Sequence, residues 1–545
     1  GIREYEARME HDDLTDIVMT WPVQAGQEYC EERLIDLSSM PLTGKYYTSG
    51  LDKISSGGKL YYLPGPSQIR GIVYNKTLFE ENGWQVPDSF EGFISLCKKI
   101  EDKGIRSLQL GFGNPEVLDT AFVGYSYGNC YSTPKDAQWL KDYNEGKGSL
   151  ADHFTPAFET FQRLIDEEIL KKEDLDITYA TRERMLFRRE CAMVEDSVLM
   201  ARMGNDIAGC EDEFALMPFF NPSEDGDWAR LYPVCYIGLN KHLEEEQNKE
   251  KYALVMKIME YISTPEGQLA LSGDTGGMYS PLNGMPPPDV GEIEPLYSAL
   301  EHGRCAVFPQ FKNAQVTLRK GLAGMLKGEM SAQEVIEITD KENISPSADM
   351  SPLVIGQALK DFTILDTGNF LCDAMAEASG CEIALFLDNG KDGRYSGKGL
   401  CSKIYKGEIT TIDLERLMPD TKNGERGEVQ KVTMTGEDLI KTLEYSVKVD
   451  NNIGGWFYYF SGLKMDFDPC AKQGERIHKI TDEKGDKIDP ERLYTVAIMD
   501  GSVPLEYLKT VEDTHIKVRD LLCGAIQDMG SITPSTDGRF NIVQP

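Results

Sequence analysis

The chain has 545 residues, with 57 Lys plus Arg against 90 Asp plus Glu, a formal charge of −33. At roughly 100–200 residues per domain, this length implies about three domains. The acidic balance excludes a nucleic-acid backbone or an anionic membrane as the main partner, because both demand a net positive footprint. Gly1 leads into a charged amphipathic run, Ile2 to Leu14, with no basic n-region and no apolar h-region. Either a signal segment has been removed or the chain begins inside a larger protein. Residues 14–20 (LTDIVMT) read as a short buried strand, closed by Trp21-Pro22, and 60–64 and 69–75 as further strands rich in β-branched and aromatic residues. A helical period runs over 89–103 with Ser89 as N-cap, over 151–170 (Phe154, Phe158, Phe161, Leu164, Ile165), over 181–190, and over 250–263, where Thr264-Pro265 stops it. Residues 191–196 (CAMVED) read as a strand. This alternation predicts an α/β fold with parallel sheets. Pro286-Pro287-Pro288 marks one boundary, and the Ser/Pro-rich stretch 341–352 reads as an interdomain linker. The twelve scattered cysteines form no CxxC, so a zinc ribbon or thioredoxin motif is not expected; buried free thiols and a few disulfides are both compatible with the count.

The stretch IVYNKTLFEENGWQVPDSFEGF, from residue 72, resembles the YNK-x-LF signature of family 1 extracellular solute-binding proteins of bacterial ABC importers. Other pieces resemble that family in its order: Thr15–Val18, Leu60–Pro64, the RECAMVEDS strand over 189–197, Leu231–Asn240, and the Tyr252–Gln268 helix with its Thr264-Pro265-Glu266. The resemblance covers residues 5–340. It implies two α/β lobes joined by hinge strands, lobe one at about 1–112 and 228–284 and lobe two at about 113–227 and 285–343, closing on a ligand by a hinge motion. It further implies a sugar or oligosaccharide ligand, an ABC permease as partner, and an extracellular location held by a lipid anchor outside this chain. In such a cleft, aromatic rings stack on sugar faces, and Asp, Glu or Asn bind hydroxyls at the C-terminal ends of parallel strands. The residues expected there are Trp21 (or else a core tryptophan), Tyr125 and Tyr127 in GYSYGN, Asp196 and Ser197 (or else a helix cap), Tyr236 and Tyr279; Tyr74 and Asn75 belong to the signature in a structural capacity. The family normally opens with a strand and helix before the Thr15–Val18 segment. Only about 14 residues precede it here, so the first strand of lobe one is expected to be missing, through a shortened chain or a divergent lobe.

Residues 350–545 resemble the C-terminal domain of 5′-nucleotidases: Gly368-Asn369 with Asp373-Ala374-Met375, CEIALFLDN with Gly390 and Arg394, Gly407–Thr410, Met434–Leu439, Phe457–Gly462 and Tyr494–Ala497. The resemblance implies an α/β domain that binds base and sugar, with Asn389 and Arg394 on the ligand and Phe457 stacking on the base, a contact of roughly 1–3 kcal/mol. The second stacking Phe is replaced by the Asp500-Gly501 region, and the Arg expected before Gly368 is absent, with Thr363 in its place. Retained nucleoside binding and a recycled scaffold both fit.

Hydrolysis in that family belongs to a separate two-metal domain needing D-x-H, GNH and H-x-H clusters. Six histidines are present, none in GNH or H-x-H, and Gly113-Asn114 runs into Pro115. No P-loop or H-E-x-x-H occurs. No catalytic residue, metal or cofactor is expected. The reading is a non-enzymatic carbohydrate-binding importer component fused to a nucleotidase-type domain; the alternatives are a nucleoside-scavenging protein or a nucleotidase-like hydrolase.

Overall fold

The computed structural model describes residues 2–543 apart from 21–26, 48–49, 52–53, 56–57, 207–210, 224–225, 273–276, 312–313, 345–352, 388–398, 419–426, 447–457, 469–470, 473 and 536. The chain divides into two units, Leu14–Asp349 and a second built from Gly1–Asp13 with Met350–Pro545. Among the described residues, no disulfide joins two cysteines. No helix among the described residues is long and apolar enough to cross a membrane.

In the Leu14–Asp349 unit, the strand Ile17–Thr20 pairs antiparallel with Tyr236–Leu239, which pairs in turn with Leu63–Pro64. One core gathers here from Ile35, Leu37, Leu63, Ile237, Leu239 and Met259. The helix Lys249–Ile262 covers it and ends where predicted, but Thr264-Pro265 also starts a helix: the Thr264 hydroxyl accepts from Gly267 N–H and Pro265 takes the first position, where its missing N–H costs nothing.

The larger sheet is built around the nine-residue strand Ser67–Asn75. Cys191–Ser197, Phe214–Met217 and Asp227–Pro233 all pair with it antiparallel, while Arg106–Gln109 joins Cys191–Ser197 in parallel. The sheet is therefore mixed, which corrects the expectation of parallel sheets: the central strand is met mostly by antiparallel neighbours. Its second core runs from Ile72 through Phe93, Phe122 and Phe158 to Ile336. The helix Phe90–Glu101 belongs to it, capped by Ser89, whose hydroxyl accepts from Gly92 N–H at 3.2 Å. Asn75 likewise caps Lys76–Asn82, accepting from Leu78 N–H at 2.8 Å, so the signature's YNK step is a strand-to-helix stop. Residues 67–112 thus pack with the core placed by sequence in lobe two, and the core of lobe one draws on a shorter stretch than 1–112.

In the other unit, a five-stranded sheet runs Tyr458–Ser461, Ile383–Leu387, Leu493–Met499, Glu428–Thr435, Thr510–Lys517. Helices Ile364–Ser379 and Val518–Met529 contribute to the core on one face. Thr363, the residue in place of the expected Arg, caps the first of these helices: its hydroxyl accepts from Asp366 N–H, and the Asp366 carboxylate accepts from Thr363 N–H. The helix Ile2–Glu10, assigned by sequence to the first module, packs in this unit. Met9 and Ala7 are buried, Glu10 pairs with Arg416, Asp13 accepts from Lys403 at 2.9 Å, and His11 stacks on Tyr405 at 4.2 Å. Burial of its apolar side, which no neighbour in the sequence covers, decides this placement.

Gly368 explains one motif position. A Cβ there would stand 2.1 Å from the ring of Tyr459, so the helix approaches the sheet only because the side chain is absent. Gly368→Ala is expected to destabilise this unit by about 1–3 kcal/mol through overpacking, read as a lower chemical-denaturation midpoint for the transition of residues 350–545; an unchanged midpoint contradicts the packing described.

Candidate functional site

Trp21, Asn389, Arg394 and Phe457 lie outside the described residues. Tyr125 and Tyr127 lie in the core and not along a cleft wall. The Tyr125 ring packs against Phe93 and Phe219, each at 5.5 Å, and Tyr127 against Trp228 at 4.9 Å, with both side chains essentially unexposed. The aromatic density of GYSYGN thus serves packing. Tyr236 is buried opposite Thr20 and Pro64, and burial pushes its phenol pKa up. Tyr279, also largely buried, faces Tyr47 with centroids 6.4 Å apart. Ser197 is buried too. Of the predicted cleft residues, Asp196 holds the most developed polar setting. Its carboxylate accepts from Ser197 N–H at 2.7 Å and from Arg182 Nη2 at 2.7 Å.

Asp196 belongs to a cluster centred on its neighbour Glu195. Strand register dictates this cluster: Arg70 on the central strand stands opposite Ser197 on one side and Arg230 on the other. Two cations in cross-strand register repel unless an anion lies between them. Glu195, 1% exposed, supplies it. Arg70 holds it with a two-pronged contact, Nε to Oε1 at 2.9 Å and Nη2 to Oε2 at 3.2 Å. Arg182, 0% exposed, lies 3.7 Å from Glu195, donates to the Leu110 carbonyl at 2.6 Å, and sits 4.4 Å over the Tyr179 ring. Arg230 lies 3.8 Å from Glu195, donates to the Thr120 hydroxyl at 2.8 Å, and covers the Phe308 ring at 4.3 Å.

The loop after Arg106–Gln109 makes room for this. Gly111 has φ +80°, and a Cβ on it would stand 3.0 Å from the Arg182 Cδ. Asn114 Oδ1 accepts from Tyr179 N–H at 2.9 Å and so fixes where Tyr179 leaves the backbone. Close by, Arg319 is held by Asp119, whose other oxygen accepts from Gln315 at 2.8 Å. Arg70, Arg230 and Asp196 keep 15–16% exposure, and Tyr179 and Tyr232 are half-buried. The surface at the C-terminal end of Cys191–Ser197 thus offers two tyrosine rings, guanidinium donors and a carboxylate acceptor. Among the described residues, no group of three His, Cys, Asp or Glu is placed to hold a metal.

Of this cluster the sequence reading named Asp196, and it did not name Glu195, Arg70, Arg182, Arg230, Tyr179 or Tyr232. The only local signal was the acidic pair ending CAMVED. The arginines announce themselves only through the fold, since Arg70 and Glu195 are 125 residues apart.

Burial on its own raises the Glu195 pKa, but the field of Arg70, its hydrogen bonds, and the charges of Arg182 and Arg230 outweigh it and hold the carboxyl at about 2. A folded-state pKa below the ordinary 4.5 contributes stability above that value and loses it as the pH falls from about 4.5 toward about 2. Glu195→Gln is expected to flatten the pH dependence of unfolding of the first module in this window. At neutral pH it is expected to cost about 3–5 kcal/mol by leaving buried guanidinium groups uncompensated. Unfolding measured by urea at stepped pH checks both; an unaltered acid slope contradicts the assignment.

Residues 354–504 match the profile of the family described as 5′-nucleotidase, C-terminal domain. A 104-residue stretch is 28% identical to the Multiple sugar-binding protein of Streptococcus mutans serotype c (strain ATCC 700610 / UA159), covering 18% of this chain and 24% of that protein. A 192-residue stretch is 26% identical to the Trifunctional nucleotide phosphoesterase protein YfkN of Bacillus subtilis (strain 168), covering 32% of this chain and 12% of that protein. The chain thus matches about a quarter and an eighth of these relatives' lengths. Among solved structures, a family 1 extracellular solute-binding protein from Bifidobacterium longum subsp. infantis superposes with a TM-score of 0.51 at 15% identity, over 62% of this chain and 87% of that one. The first module therefore has the family 1 solute-binding fold, and it is joined to a 5′-nucleotidase C-terminal domain.

Proposed function

We propose that the Leu14–Asp349 unit is a carbohydrate-binding component of an ABC importer acting outside the cytoplasm, and that the chain has no hydrolytic activity of its own. The observation that carries this reading is the juxtaposition of half-buried Tyr179 and Tyr232 with Arg70, Arg230 and Asp196 at the end of the Cys191–Ser197 strand. A pyranose presents apolar C–H faces and a rim of hydroxyls. Tyrosine rings suit the first, and a fixed set of charged donors and acceptors suits the second. The sugar-binding relative and the solute-binding fold of the first module support the same reading. The ligand would act by favouring a closed lobe arrangement to the extent that it binds that arrangement more tightly. The absence of GNH and H-x-H motifs from the sequence supports the non-catalytic part; the D-x-H of Asp513-Thr514-His515 falls within the strand Thr510–Lys517, and Ser126, in the G-x-S-x-G of Gly124–Gly128, is buried.

One observation favours a second reading. The match of residues 354–504 to a domain of nucleotide-processing enzymes points to nucleoside binding by the C-terminal unit, with Asn389, Arg394 and Phe457 as contacts.

Isothermal titration with oligosaccharides and nucleosides separates the two. A bound oligosaccharide is expected, with Tyr179→Ala and Tyr232→Ala each weakening it by about tenfold or more. Binding of nucleosides alone, abolished by Phe457→Ala, contradicts the carbohydrate reading. Incubation with nucleotides and divalent cations is expected to release no phosphate; metal-dependent release contradicts the non-catalytic reading.

A further inference from the structure

We infer that the solute presents an anionic oxygen group, a carboxylate or a phosphate on a sugar, to Arg230. This rests on the carbohydrate reading and specifies the class of sugar. Four guanidinium groups gather around this face: Arg70, Arg182, Arg230 and Arg319. Three of them have a carboxylate within hydrogen-bonding distance. Arg70 has Glu195 at 2.9 Å, Arg182 has Asp196 at 2.7 Å, and Arg319 has Asp119 at 2.9 Å. Arg230 does not; its nearest carboxylate oxygen, on Glu195, is 3.8 Å away and already taken by Arg70.

Among the described residues, the guanidinium of Arg230 hydrogen-bonds only to the Thr120 hydroxyl, which carries no charge. A guanidinium has five N–H donors in a planar fork, so most of this one remains open. Its other neighbours are ring faces, Phe308 at 4.3 Å and Tyr232 at 5.5 Å, which orient a cation but accept no in-plane hydrogen bond. Register also sets Arg70 directly opposite it. Accordingly, burial, ahead of the charge of Arg70, leaves the Arg230 pKa lowered, whereas that of Arg70 is raised.

Arg230 nevertheless keeps 16% of its side chain exposed, on the same face as Tyr179 and Tyr232. A largely buried cation with no carboxylate at hydrogen-bonding distance, partly exposed and beside the Tyr232 ring, matches a ligand that brings both a sugar face and a negative charge. A carboxylate or phosphate fits the fork in a two-pronged geometry and supplies the missing charge. A neutral hydroxyl supplies neither. The acids that face the site do not fill this role. Glu195, Asp196 and Asp119 are held by other arginines, Glu116 lies toward Tyr179 and Arg319, and Glu183 adjoins Asp196.

The test is titration of the full chain with matched pairs: xylotetraose against aldotetrauronic acid, galactobiose against digalacturonate, and glucose against glucose 6-phosphate. The anionic member of at least one pair is expected to bind about tenfold or more tightly, with a preference that shrinks as salt rises. Arg230→Gln is expected to bring that ratio close to one, and Arg230→Lys to leave it in between, because a lysine keeps the charge but not the fork. A preference seen only with glucose 6-phosphate supports the inference and identifies phosphate as the group; one seen only with the uronates identifies carboxylate. Equal binding of the members of every pair, or a preference untouched by Arg230→Gln, overturns the inference while leaving the carbohydrate reading intact. Binding of none of the six overturns both.

Discussion

The Glu195 carboxylate is the constraint on which the first module depends. It lies between arginines that strand register forces together, with Arg70 and Arg230 in direct cross-strand opposition and Arg182, itself 0% exposed, arriving from the helix Tyr179–Phe187. Removing two or three like charges from water is costly, and only a shared anion at hydrogen-bonding distance makes the arrangement tolerable. The central strand Ser67–Asn75 and its neighbours Cys191–Ser197 and Asp227–Pro233 are therefore tied by charge at one end and by the apolar core at the other. The same ion cluster fixes where Asp196, Tyr179 and Tyr232 emerge, so what stabilises the sheet also shapes the candidate binding face.

Elements with a local signature were legible in the sequence. Ser89 caps the helix that its spacing announced, and the phenylalanine period over 151–170 marks a helix that buries Phe154, Phe158 and Phe161. Features set by distant partners were not legible. Sheet direction depends on which strands meet, and the central strand meets antiparallel neighbours that the βα alternation gave no reason to expect. The Ile2–Glu10 helix looked like the start of the first module, yet its buried Met9 and its Glu10–Arg416 pair belong to a partner some 400 residues on. Tyr125 and Tyr127 were attractive as stacking platforms because tyrosine next to glycine suggests a cleft loop. A tyrosine ring serves equally well in a core, and here Phe93, Phe219 and Trp228 surround the pair.

The two units use one chemical vocabulary differently. In the first, arginines converge on buried acids near a half-exposed aromatic rim. In the second, Arg539 grips Asp373 at 2.7 Å and the Phe460 carbonyl at 3.0 Å, tying the helix of the nucleotidase-type motif to the sheet beside it. That contact accounts for the aspartate of the motif as a structural anchor. A nucleotidase-type domain can thus keep its scaffold residues independently of whether it keeps a ligand.

The central claim is that ligand binding resides on the arginine–tyrosine face of the first module. Hydrogen–deuterium exchange, with and without a saturating oligosaccharide identified by titration, tests it most directly. Protection confined to residues 110–116, 178–182, 195–198 and 227–233, with residues 458–499 unchanged, is the predicted result. Protection confined to residues 350–545, with those four segments unchanged, would contradict it.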